Sequence, residues 1–121
     1  ANNILNDIDV HYGESQSTIY VTFTEQLVYR SHIPKAYGDL ININVNRQGI
    51  NTNKFESEFL AWKPSELIPL FEVSLESINA TQGIIIFRFD KKIEFHVQSS
   101  SDSYSITVTV FHPKTNQVMD D

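Results

Sequence analysis

Thr18-Ile19-Tyr20-Val21-Thr22-Phe23 and, further along, Ile84-Ile85-Ile86-Phe87-Arg88-Phe89 are the two stretches on which the fold turns. In the first, Ile19, Val21 and Phe23 alternate with Tyr20 and Thr22, the period-2 pattern of a strand with one buried face. A shift of 66 positions lays Ile19 on Ile85, Val21 on Phe87, Phe23 on Phe89, Leu27 on Ile93 and Tyr29 on Phe95. A shift of 65, one residue deleted in the turn, then lays Ile41 on Ile106, Ile43 on Val108 and Val45 on Val110. Matching apolar positions in the same order predict an internal repeat.

Outward from the first stretch, Ile8, Val10 and Tyr12 alternate with Asp9 and His11, and Gly13 to Ser17 is turn material. Leu27-Val28-Tyr29-Arg30 reads as a third strand, and Pro34 with Gly38 marks the turn before a fourth, Leu40 to Val45. The second half runs the same way: Phe71 to Glu76, Ile84 to Phe89, Ile93 to Val97, a serine-rich turn, then Tyr104 to Val110. The expectation is one domain over residues 1–121, with half-repeats of about 4–45 and 70–111 and a connector at 46–69. Its fold class is an all-β sandwich of two four-stranded sheets, each mostly from one half.

Within the connector, Phe55, Phe59 and Trp62 recur at the spacing of one helical face, which predicts a short helix ended by Pro64. Ile84-Ile85-Ile86-Phe87 has no polar side, so both faces of that strand need cover. The connector is expected to supply it, with Trp62 over Ile84 and Ile86; left open, that strip would be a partner surface.

Eight Phe, five Tyr and one Trp with 20% charged residues exclude disorder as the main state. Nine Lys+Arg against fifteen Asp+Glu leave a net charge of -6, which argues against nucleic acid as a partner. No Cys is present for disulfides, thiol chemistry or Cys-based zinc sites. No apolar stretch is long enough to span a bilayer as a helix. The chain opens at Ala1 rather than Met, as a processed mature terminus or a cut fragment would.

His11, His32, His96 and His112 form no metal-binding spacing; Glu94 and His96 share a strand face but lack an evident third ligand. The acid pairs Asp7/Asp9, Glu56/Glu58 and Glu72/Glu76 are explained by solvated faces, and no nucleophile motif or phosphate loop occurs. The expectation is therefore no enzyme, no cofactor and no metal. Tyr20 and Tyr37 are candidates for stacking on sugar rings, whose faces are apolar and edges polar. Arg30 and Lys35 add donors for ligand carboxylates, Arg30 being suited to bidentate contacts.

Asn3-Ile4-Leu5, Ile8-Asp9-Val10, Thr18 to Phe23 and Leu40-Ile41-Asn42-Ile43-Asn44-Val45 together resemble the AMIN domain, a small all-β module of bacterial cell-envelope proteins. Asn44 stands where that family often carries Asp, and neither Asp39 nor Leu40 supplies the Arg that often opens the aliphatic strand. The resemblance implies two similar halves in a sandwich and a periplasmic or envelope location. It also implies a non-catalytic module that localises a larger protein by binding peptidoglycan. The alternatives are a protein–protein docking domain of a pilus or secretion machine, with envelope assembly proteins as partners, and a carbohydrate-binding β-sandwich of another family.

Overall fold

The computed structural model describes residues 3–47 and 57–113. Among the described residues, eight antiparallel strands run in the order β1 (Leu5–His11), β2 (Gln16–Phe23), β3 (Leu27–Ile33), β4 (Tyr37–Arg47), β5 (Glu58–Ala61), β6 (Leu70–Ser77), β7 (Gln82–Ser99) and β8 (Ser105–Phe111). All-β is thus the fold class. No helix among the described residues is long and apolar enough to cross a membrane.

The strands form one continuous hydrogen-bonded sheet, β1-β2-β8-β7-β4-β3, with β6 also on β7 and β5 on β6. Strand β7 is the join. Its residues 82–89 pair with β4 and β6, whereas residues 94–99 pair with β8. One wing is therefore β1-β2-β8 with the end of β7, and the other β3-β4 with the start of β7, then β6 and β5. Each wing mixes both halves of the chain, contrary to the expectation of one half per sheet. Burial explains the choice, because Ile19 between Val10 and Val108, and Ile85 between Leu75 and Ile43, turn apolar rows to one shared core.

The two strands expected at 84–89 and 93–97 are one strand of 18 residues. Asp90, Lys91 and Lys92 interrupt the apolar alternation and are exposed, but they bring neither Gly nor Pro to turn the chain. The connector corrects another expectation. Phe59 belongs to β5, which pairs with β6, so 58–61 is strand and not helix; Phe55 lies outside the described residues. Leu60 and Trp62 alternate inward against the core, while Phe59 is 65% exposed. Trp62 cannot cover Ile84 and Ile86: these point away from the core, being opposite in parity to buried Ile85 and Phe87. Ile86 is nevertheless only 6% exposed, in register between Asn42 and Ser74, and Ile84 is half-buried.

The registers of the halves correspond at several core pairs. Leu5, Ile8 and Val10 face Phe23, Val21 and Ile19; 65 or 66 residues later Leu70, Val73 and Leu75 face Phe89, Phe87 and Ile85. The pairs Ile19↔Val108 and Val21↔Ile106 correspond to Ile85↔Ile43 and Phe87↔Ile41.

Two side-chain devices close the ends. Glu58 accepts hydrogen bonds from the Ile4 and Leu5 amides at 2.8–2.9 Å, tying β5 to the start of β1. Arg47, 6% exposed, donates through Nε and one terminal nitrogen to the two Glu25 oxygens at 3.1 and 2.9 Å.

In the β7–β8 turn, the Asp102 carboxylate accepts from the Tyr104 amide and the Ser100 hydroxyl, and these bonds lower its pKa from 3.8. A depressed carboxylate stabilises the fold above its unfolded-state pKa, and that contribution is lost as pH falls through the folded value. Acid unfolding of Asp102→Asn should therefore show a flatter decline below about pH 4 than the parent chain, most visible at the Tyr104 and Ser105 amides by hydrogen exchange.

Candidate binding surfaces

The outer face of the β1-β2-β8-β7 wing is a grid of side chains that are polar except for Phe111. One row runs Asp9, Tyr20, Thr107 and Gln98; the next His11, Thr18, Thr109 and His96; a third Gln16, Phe111, Glu94 and Tyr37. Directly paired residues project from the same side, so Tyr20 and Tyr37 share this face. They are 38% and 62% exposed. At ~3.4 Å per residue and ~4.8 Å per strand they stand ~20 Å apart, with threonine hydroxyls between. That span suits an extended oligosaccharide better than a single ring.

Both tyrosines are positioned. The His11 ring meets Tyr20 edge-on at 5.2 Å between centroids, and His11 Nε2 is itself held by Asp9 at 2.9 Å. At the other end, His32 Nε2 donates to the Lys35 carbonyl at 3.0 Å. That fixes the tautomer, so Nδ1 accepts from the Tyr29 hydroxyl at 2.6 Å. The bonds hold the turn that carries Lys35 and leads into Tyr37, and the Ala36 carbonyl accepts from the Phe95 amide at 2.8 Å. Lys35 is exposed beside Tyr37. Glu94 and His96 are exposed on this same face, and among the described residues no group of three or more His, Cys, Asp or Glu is placed to hold a metal ion.

Arg30 does not join them. It lies on the other wing, lining a cavity of about 170 Å³ with Asn44, Val45, Asn46, Ile78, Gln82 and Gly83. Tyr20 and Tyr37 thus share one face, Lys35 sits exposed in the turn just before Tyr37, and Arg30 opens a separate cleft. Asn46 and Gln82 carried no signal in the sequence; only the β4–β7 register brings them together. Ile84 and Ile86 lie on the outer face of that second wing, without Trp62.

The chain matches no family model, no curated protein and no solved structure.

Proposed function

We propose that the chain is a non-catalytic binding module of the AMIN type that localises a larger bacterial envelope protein by holding peptidoglycan. In this reading the two wings are the layers of a sandwich built from two copies of one four-strand unit, which exchange their strands. The observation that carries it is the pair Tyr20 and Tyr37 on one face with Thr18, Thr107 and Thr109 between them. Rings offer sugars apolar faces, and hydroxyls and amides offer the hydrogen bonds that orient them.

The test is co-sedimentation with purified sacculi. At about 1 kcal/mol for each ring, Tyr20→Ala with Tyr37→Ala should weaken binding about thirtyfold. Both residues are exposed, so the melting temperature should hardly move. Unchanged sedimentation of the double variant would remove the glycan reading.

A protein–protein docking domain is the second reading, favoured by one row on the opposite wing: Ile33, Asn42, Ile86, Ser74 and Phe59. Its ends, Ile33 and Phe59, are 63% and 65% exposed. Retained binding to an envelope assembly protein by the tyrosine variant, lost on Phe59→Ser, would favour this reading.

A further inference from the structure

The correspondence of the two halves singles out the Arg30 cleft. In β3 the register jumps between Tyr29 and Ser31, which pair with Val45 and Asn44. The corresponding residues of β7, Phe95 and His96, pair with Val110 and Thr109 without a jump. Arg30 is therefore the extra residue of a bulge, with no counterpart in the second half. A bulge of this kind bends the strand and re-aims one side chain. Here it brings a guanidinium to the cavity.

The rest of the cleft differs from its counterpart in the same sense. Gly83, opposite Val45, corresponds to Ser17, opposite Val110. Ser17 fills its place, 1% exposed, with Oγ accepting from the Gly13 amide and sharing a hydrogen bond with His112 Nε2 at 2.8 Å. Asn46 likewise corresponds to Phe111, since they pair with Gln82 and Gln16. Where one half has Ser17 and Phe111, the other has Gly83 and Asn46: Gly83, paired with buried Val45, adds only backbone to the cleft, and the amides of Asn44, Asn46 and Gln82 line it.

The donors are set for an anion. The Arg30 side chain is exposed and makes no ion pair or hydrogen bond with another described residue. Asn79 Nδ2 donates to Gln82 Oε1 at 2.7 Å, which turns that amide so its own N–H groups are left for a ligand. Ile78, 55% exposed, supplies an apolar wall. The volume, about 170 Å³, falls below the ~300–1,000 Å³ of pockets that enclose drug-sized ligands. It fits the end of a chain.

We propose that this cleft binds the C-terminal carboxylate of a peptide. Arg30 takes the carboxylate in a bidentate contact, Gln82 and Asn46 meet the last peptide group, and Ile78 packs a small apolar side chain. The cleft and the tyrosine face lie on different wings, so this assignment stands or falls without the glycan reading.

The experiment is amide NMR titration of the whole chain with N-acetyl-Ala-Ala, with its C-terminal amide, and with acetate. The acid should bind with a Kd on the order of 1 mM, what a ligand of its size supports, shifting the amides of Asn44, Asn46 and Gln82. The amide form should bind at least tenfold more weakly, as should the acid to Arg30→Gln, which is exposed and should keep the parent spectrum. Equal binding of acid and amide, shifts elsewhere, no binding by 20-fold that concentration, or full affinity in Arg30→Gln would each overturn the proposal. Acetate binding as tightly as the peptide would overturn it as well, leaving a bare anion site.

Discussion

Replacing Phe87 by alanine is expected to cost about 3–5 kcal/mol, seen as a lower denaturation midpoint with an unchanged slope. Phe87 is 0% exposed and stands where β7 is flanked on both sides, opposite Ile41 of β4 and Val73 of β6. Its ring is held by strands from both halves, so the surroundings cannot collapse into the void without breaking register. Phe87→Leu, which keeps most of the volume, should recover more than half of the loss. Ile33→Ala, at a 63% exposed position in edge strand β3, should change stability by less than about 0.5 kcal/mol.

Glu58→Ala should cost about 3 kcal/mol, more than its place on a four-residue strand suggests. Its carboxylate accepts from the amides of Ile4 and Leu5, residues 4% and 2% exposed, and charge-assisted bonds of this kind are about twice as strong as neutral ones. Alanine would leave those donors facing a gap. Glu58→Gln, which keeps one acceptor oxygen, should lose about half as much. The contrast is Glu72, whose bond with Arg88 joins side chains that are each about one-third exposed, so Glu72→Ala should cost under about 1 kcal/mol. Urea titrations of the three variants measure the order directly.

The alternation of Ile19, Val21 and Phe23, and of Ile41, Ile43 and Val45, was legible because each strand buries one face against a common core. The matched apolar positions on which the expected repeat rests were visible for the same reason. Partnering was not legible. Alternation says which side of a strand is buried, never which strand lies beside it, so the pairing of β2 with β8 left no local mark. The residue deleted between the halves was expected in the turn after Tyr29; the register puts it at Arg30, inside β3. In the connector, the spacing of Phe59 and Trp62 suits a helix as well as it suits a short strand, and the open edge of β6 decided for the strand. Tyr20 and Tyr37 were legible as surface aromatics, but their common face is a product of β4 reaching across to Glu94.

Because β2 needs β8 and the start of β7 needs β4, neither wing can be finished by one half of the chain. During synthesis the first four strands emerge without the partners that cover their apolar rows, and β8 arrives last. Closure therefore joins residues about 90 apart, such as Ile19 and Val108, late and at a high entropic cost, which favours slow folding in the millisecond-to-second range. Until then Ile19, Val21, Ile41 and Ile43 are edges and faces open to other nascent chains. A fragment ending before Ser105, which lacks β8, should precipitate rather than persist as a partial domain.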